Sequence, residues 1–258
     1  MISEEMFSLK GKTAVVIGGG GHVCSALASG FAAMGANVIV ADLKDEKAEK
    51  VAKEISVKYS SKVTHAQVDA SSKDSLLNLL HTTLDRHSSV EILVNGAGIN
   101  SPKPFLEIEV DEWQEVFNSQ LVATMLGCQV FGLQMKKQAK GSIINISSAS
   151  ADPALSRAFA YSASKAGIKN LTQNLGREWA LEGVRVNALR PGFFPTDWNR
   201  KNFIDKEREM AILNHTPMRR FGETSELVGA AVFLASDAST FVTGSELVVD
   251  GGFSAMTI

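Results

Sequence analysis

TAVVIGGGGHVC, residues 13–24, is the stretch that decides the fold. The near-continuous apolar run Thr13–Ile17 leads directly into Gly18-Gly19-Gly20-Gly21, and a helical pattern begins at His22. A run that is apolar on both sides suits a strand buried within a parallel sheet. Glycines at its end permit a tight turn and let backbone amides approach a pyrophosphate at the positive end of the next helix. By itself, a glycine cluster also suits a flexible strand-to-helix turn that binds nothing.

Outward from this unit the alternation repeats. Asn37–Ala41, Lys62–Val68, Ile92–Asn95, Ser142–Ser147, Arg185–Leu189 and Glu246–Val249 read as further strands. Helical stretches separate them, roughly His22–Met34, Lys44–Lys58, Lys73–His87, Val110–Gln138, Tyr161–Ala180 and Ser225–Ala235. Such alternation implies an α/β fold, a Rossmann-type doubly wound parallel sheet with helices on both faces. No repeat, low-complexity tract or linker divides residues 1–258, so a single domain is expected. The one irregular stretch, about Gly192–Pro217, follows a strand. Loops at the carboxyl ends of strands surround the ligand crevice in such sheets, so this segment is expected to act as a substrate lid.

Bulk properties narrow the functional classes. A chain of 258 residues has the length for one sizeable core. Its 45% hydrophobic and 21% charged content is that of a globular protein. A net charge of −2 without any Lys/Arg block argues against a nucleic-acid partner. Cys24 and Cys128 make no disulfide framework and have no partners at metal-ligand spacing, so no metal is expected. The start carries Glu4 and Glu5 without an apolar signal region, and the apolar runs around Val15 and Val232 are short for a membrane span. A cytoplasmic protein that does not engage membranes is therefore expected.

Two further places carry chemistry. The second strand ends in Asp42, 24 residues after Gly18, where a carboxylate would accept hydrogen bonds from a ribose diol and repel a 2′-phosphate. NAD is thereby favoured over NADP, although Asp42 also suits a helix cap for the segment after Lys44. Farther on, Tyr161 and Lys165 lie four apart on one helix face. A nearby ammonium is expected to lower the phenol pKa and make Tyr161 a usable acid or base. Ser148 closes a strand thirteen residues earlier, where its hydroxyl would hold a substrate oxygen. Ser147 and Ser150 also suit an ordinary turn.

With these residues in place, the chain resembles the short-chain dehydrogenase/reductase family over nearly its whole length. The resemblance rests on the glycine loop and Asp42, Val68-Asp69, Asn95-Gly96-Ala97-Gly98, Ser148, Tyr161-Ser162-Ala163-Ser164-Lys165, Arg185-Val186-Asn187, Pro191-Gly192 with Thr196, and Val249-Asp250-Gly251-Gly252. It implies an oxidoreductase interconverting a secondary alcohol and a ketone with NAD. Catalysis would fall to Ser148, Tyr161 and Lys165. Cofactor contacts are implied for Gly18, Gly20, Gly21, His22 and Val23 in the loop, and for Asp42, Asp69 and Ala70. They are also implied for Asn95, Gly96 and Ala97, for Tyr161 and Lys165, and for Pro191, Gly192, Phe194 and Thr196. A homotetramer packed through the long helices is implied as well.

The chain departs from the family pattern twice. The fingerprint Thr-Gly-x-x-x-Gly-x-Gly has Ile17 for its threonine, and His22 and Cys24 at its second and third glycines. Aligned on Trp113 and Leu121, the family's catalytic-helix asparagine falls on Gln120, which would support a proton-relay water with an extra methylene; Asn118 is expected to point elsewhere. The region Pro191–Arg200 and His215–Met218 is similar to that of sugar-acid and polyol members, of the D-mannonate oxidoreductase or gluconate 5-dehydrogenase type. Arg157, Asn199 and Arg200 are the candidate substrate residues, an arginine binding a carboxylate bidentately, against the alternative of surface ion pairs. A 3-oxoacyl reductase, a non-catalytic dinucleotide sensor and a structural oligomer are the rival readings.

Overall fold

Along the first strand, side chains alternate between two interiors. Ala14 and Val16 enter one apolar cluster while Val15 and Ile17 enter another, and all four are buried. A strand that buries both faces needs helices on both. The computed structural model of the chain describes residues 4–61, 63–152, 154–196, 200 and 204–256. Its strands are β1 (Thr13–Ile17), β2 (Asn37–Asp42), β3 (Val63–Gln67), β4 (Ile92–Asn95), β5 (Gly141–Ile146), β6 (Val184–Pro191) and β7 (Glu246–Val249). They form one parallel sheet of seven strands in the order β3-β2-β1-β4-β5-β6-β7.

The helices are α1 (His22–Ala33), α2 (Asp45–Tyr59), α3 (Lys73–His87), α4 (Val110–Phe117), α5 (Ala123–Lys137), α6 (Phe159–Trp179), α7 (Lys206–His215) and α8 (Ser225–Ala235). On one face α1, α2 and α8 contribute Leu27, Phe31, Ile55 and Leu234 to the core. On the other, α3, α5 and α6 contribute Leu76, Phe131, Met135 and Trp179. This is the single-domain, doubly wound architecture expected from the sequence.

The topology places the crevice. The chain builds outward from β1 to β3, then returns to the other side of β1 with β4, so the loops after β1 and β4 diverge over opposite faces. Ile17 is in register with Asn95, and the Gly96 amide donates to the Ile17 carbonyl at 3.1 Å. Gly18 then sits at φ +77, and a Cβ there would lie 2.8 Å from the Ala97 amide and the Gly96 carbonyl. Both backbone handedness and space demand glycine at this position.

Beyond shifts of one or two residues at element ends, three features differ from the sequence reading. Helix α7 lies inside the stretch expected to be irregular. Asp205 caps it by accepting from the Arg208 amide at 2.8 Å, but Ile212 is its one buried residue, so it has little apolar periodicity to reveal it. A π turn (Asn118–Val122) joins α4 to α5. Finally, the continuous run Val110–Lys137 is long and apolar enough to cross a bilayer, contrary to expectation, yet half of its apolar window is buried within the protein, as in a core helix.

Replacing Gly18 with alanine should cost about 1–2 kcal/mol in left-handed strain alone, with the backbone clash in addition. Urea denaturation checks this, and Gly18→Ala stability equal to wild type would contradict the close β1–β4 approach.

Candidate active site

The glycine loop is held by its own backbone. Gly19 N–H donates to the Ala41 carbonyl and Gly21 N–H to the Gly18 carbonyl, both at 2.9 Å. Gly20 N–H donates to Asp42 Oδ2 at 3.0 Å, and Lys44 N–H to Asp42 Oδ1 at 3.1 Å. Asp42 therefore braces the loop and meets the first residue of the α2 entry, while a carboxylate keeps further acceptor capacity. Gly21 is the N-cap of α1 and offers no side-chain cap, so first-turn amides of α1 face the crevice.

Two connected chambers occupy this crevice. The first, about 720 Å³, is lined by Gly18, Gly21, Asp42, Asp69, Ala70 and Gly96–Ile99 among others. Asp69 Oδ1 accepts from the amide and hydroxyl of Ser71, which fixes the turn after β3. The second, about 690 Å³, shares Gly18, Gly21, Gly96, Gly98 and Ile99 and continues past His22, Val23 and Cys24 to Ser148, Tyr161 and Lys165. Gly192, Phe194 and Thr196 close its other side. Glycine walls, an open helix N-terminus and a strand-end carboxylate in one continuous cleft fit a dinucleotide. Among the described residues, no cluster of three or more metal-ligating side chains exists.

The catalytic candidates converge in the second chamber. Ser148 follows β5, accepts from the Ser150 hydroxyl at 3.1 Å and hydrogen-bonds the phenol of Tyr161. Tyr161 lies in the first turn of α6. Lys165, 4% exposed, reaches back under it, its Nζ donating to the Ile146 carbonyl at 2.6 Å and lying 5.4 Å from the Tyr161 ring centre.

The electrostatics differ from expectation. Burial raises the Tyr161 phenol above its ordinary value, and the Ser148 hydrogen bond opposes that rise. Lys165 does not lower it here, because its ammonium is turned to the Ile146 carbonyl. Burial brings Lys165 down to about 8. A protonated phenol beside a serine hydroxyl is arranged to donate a proton to a carbonyl oxygen; the reverse reaction needs the phenolate, which a charged group entering the chamber would have to stabilise.

The departures from the family pattern have local explanations. Cys24 Sγ lies against Gly96, where a Cβ would collide with it, so the missing loop glycine is offset by a glycine opposite. Burial pushes this thiol up to about 12, leaving it neutral. Gln120, 3% exposed in the π turn, donates from Nε2 to the Ile99 carbonyl at 2.9 Å, and its Oε1 has no hydrogen-bond partner among the described residues. Gly98, at φ +148, makes room for it. Asn118 lines the first chamber instead, as a residue two positions away on the turn should.

Several implied contacts fall elsewhere. Asn95 turns into the core and donates to Asn145 Oδ1 at 2.9 Å, and it lines neither chamber. Gly20 and Pro191 act through the backbone, Gly20 on Asp42 and Pro191 in register with Val249 at the end of β6. Arg157 does line the second chamber. Arg200 does not: its guanidinium lies 4.7 Å from the Phe221 ring centre, a cation–π contact at the surface. His215 packs edge-on against Phe253, away from the chamber. Asn199 lies outside the described residues.

Two arginines went unnoticed in the sequence. Arg208 on α7 lines the second chamber. Arg190, 3% exposed, pairs with Asp152 and with Glu246 at 3.1 Å; Glu246 in turn accepts from Ser147 at 2.6 Å, bracing the residue beside Ser148. The position of Arg190, just before Pro191-Gly192 at a strand end, was the available signal.

A family model described as enoyl-(acyl carrier protein) reductase matches residues 23–254. The chain is 31% identical to gluconate 5-dehydrogenase of Gluconobacter oxydans, covering 98% of this chain and 99% of that one. It is 34% identical to D-threitol dehydrogenase of Mycolicibacterium smegmatis, covering 96% and 95%. A solved gluconate 5-dehydrogenase from Burkholderia cenocepacia, in complex with NADP and tartrate, superposes with a TM-score of 0.93 at 32% identity over 98% of this chain and 99% of that one. The chain belongs to the short-chain dehydrogenase/reductase family: it is a dinucleotide-binding oxidoreductase.

The buried ammonium should leave a signature in stability. Lys165 titrates near 8 when folded and at the ordinary 10.5 when unfolded. Between these values the unfolded chain binds more protons, so this site's contribution to stability rises with pH, by up to about 1.4 kcal/mol per pH unit. Urea midpoints from about pH 7 to pH 10 should therefore climb for wild type relative to Lys165→Met. Parallel curves would refute a charged Lys165 buried at neutral pH.

Proposed function

We propose that the protein is an NAD(H)-dependent dehydrogenase that interconverts a secondary alcohol and a ketone on a sugar, sugar acid or polyol. The observation that carries this reading is the convergence of Ser148, Tyr161 and Lys165 in a chamber continuous with the dinucleotide cleft. A non-catalytic dinucleotide sensor would need none of the three.

A bound nicotinamide dinucleotide would supply the hydride acceptor for oxidation of the alcohol carbon and the hydride donor for reduction of the ketone. Ser148 holds the substrate oxygen, and Tyr161 takes the hydroxyl proton in oxidation or gives it back in reduction. Lys165, close to the Tyr161 ring, would hold the nicotinamide ribose and stabilise the phenolate form. Gly18, Gly21, His22 and Val23 would hold the pyrophosphate end. Asp69, Ala70, Gly96 and Ala97 would line the adenosine side, and Gly192, Phe194 and Thr196 the nicotinamide side. The relatives named for gluconate and D-threitol support a polyhydroxylated substrate. A cytoplasmic homotetramer, with a substrate lid in the segment 192–217, of which residues 197–199 and 201–203 lie outside the described residues, completes the reading.

The cofactor preference rests on Asp42. Its carboxylate is fixed by two backbone amides at the rim of the first chamber, so a 2′-phosphate would enter beside a charge that cannot swing away. Lys44 and Lys47 share that rim and would favour a phosphate. The fixed carboxylate prevails because it lies against the glycine loop itself.

Tyr161→Phe should reduce kcat by roughly 10²–10⁴-fold with NADH affinity within a few-fold of wild type. Wild-type turnover in the variant, measured on aldonates and alditols, would remove Tyr161 from the chemistry. For the cofactor, kcat/KM should be higher with NAD than with NADP, and Asp42→Ala should narrow the gap. A wild-type preference for NADP would overturn the reading of Asp42.

A further inference from the structure

Charge is distributed unevenly in the second chamber. Lys165, Arg157 and Arg208 line it, and no aspartate or glutamate does so among the described residues. Lys165 is committed to the Ile146 carbonyl beneath Tyr161. The two guanidiniums belong to different elements. Arg157 stands in the loop between Ser148 and α6, at φ +57, and Arg208 stands in the first turn of α7.

A left-handed backbone at a non-glycine residue costs energy and persists where the surroundings impose it. Here the neighbouring residue supplies the restraint. Arg208 Nη1 donates to the Ser156 hydroxyl at 2.8 Å and Nη2 to the Ser156 carbonyl at 3.0 Å. That grip ties α7 to the loop and sets Arg157 beside Arg208.

Both arginines line the chamber, close enough for the charge of one to act on the other. Burial lowers the Arg208 guanidinium from its ordinary value, the Arg157 charge lowers it further, and Asp205 opposes the shift. Asp205 is occupied in capping α7, where it accepts from the Arg208 amide. Two neighbouring guanidiniums in a chamber without a lining carboxylate are relieved by an incoming anion with planar, two-oxygen geometry.

We infer that Arg157 and Arg208 form a carboxylate-binding subsite, and that the substrate is therefore a polyhydroxylated monocarboxylate, an aldonic- or uronic-type acid, in preference to a neutral polyol. This rests on the dehydrogenase reading above and narrows its substrate class. Arg208 has a double part, as a partner for the carboxylate and as the clamp on Ser156, while Arg157 acts through charge alone.

The test compares an aldonate with the alditol of the same configuration, which differ in the carboxylate. Arg157→Gln and Arg208→Lys are used, since lysine retains charge but loses the fork. The wild type should prefer the aldonate. In Arg157→Gln, kcat/KM for the aldonate should fall at least about tenfold further than for the alditol, through KM, and Arg208→Lys should fall in the same direction. Added salt should erode the wild-type preference. Calorimetric titration of the aldonate into the NADH complex gives a readout independent of turnover, and should show weaker binding in both variants.

Parallel losses on both substrates would overturn the subsite, and so would weakened NADH binding in both variants, which assigns the arginines to the cofactor. If the wild type oxidises alditols and neither turns over nor binds aldonates, the subsite fails while the dehydrogenase reading stands. If it oxidises neither, and only apolar alcohols, both fail.

Discussion

No side chain fits where the carboxyl ends of β1 and β4 meet, and the rest of the site depends on that. Gly18 lies against the Gly96–Ala97 backbone, Gly96 against Cys24, and Gly98 against Gln120. These contacts let two chain segments pass within backbone distance before diverging to opposite faces of the sheet. The crevice they leave is one cleft with two chambers. Because parallel strands place all their carboxyl ends on one edge, Asp42, Asp69, Ser148 and Gly192 reach the same cleft from strands far apart in sequence.

Behind the cleft, buried polar groups fix the catalytic wall. Asn95 reaches Asn145, and Asn145 donates to Thr172 on α6 at 3.0 Å. The Arg190, Asp152, Lys169 and Glu246 charges tie β6, the loop after β5, α6 and β7 together, and Glu246 receives the Ser147 hydroxyl. Arg190 Nε has no hydrogen-bond partner among the described residues, so part of this buried guanidinium remains uncompensated. Burying charge is costly unless it is well paired, and here the pairs also reach the Ser147 hydroxyl and, through Arg190 Nη2, the Ala149 carbonyl on either side of Ser148.

Much of this was legible in the sequence where local pattern and tertiary role coincide. Thr13–Ile17, Ile92–Asn95, Lys73–His87, Ser225–Ala235 and Glu246–Val249 have the bounds their patterns indicate, because apolar runs and periodicity report burial directly. Ser148, Tyr161 and Lys165 were legible from spacing on one strand end and one helix face. Asn95 was misplaced, since a strand-end residue can turn inward or outward and a single sequence does not say which. The phenol pKa of Tyr161 was misjudged because sequence spacing puts Lys165 near it without fixing where the ammonium points. Helix α7, and with it Arg208, was hidden by its polar composition; its one signal was Asp205 followed by Glu207 and Glu209, an acidic start that suits a helix N-terminus.

The chambers also differ in electrostatic character. The adenosine end carries Asp42, Asp69, Asp111 and Glu115 with Lys44 and Lys47, a mixed surface that suits hydroxyl-rich ribose and a neutral base. The catalytic end carries cations without a described carboxylate. Between them lie the glycine amides and the open N-terminus of α1, where a pyrophosphate is best held. A dinucleotide bound with its phosphates at that midpoint has its orientation set by charge as well as shape. The same polarity would act on the proposed substrate: an anion would be drawn toward Arg157 and Arg208, leaving its hydroxyls to meet Ser148 and Tyr161. On the proposed reading, substrate selection and catalysis would use adjacent groups for different purposes, and Ser148, Tyr161 and Lys165 need not change for the arginine end to favour a different acid.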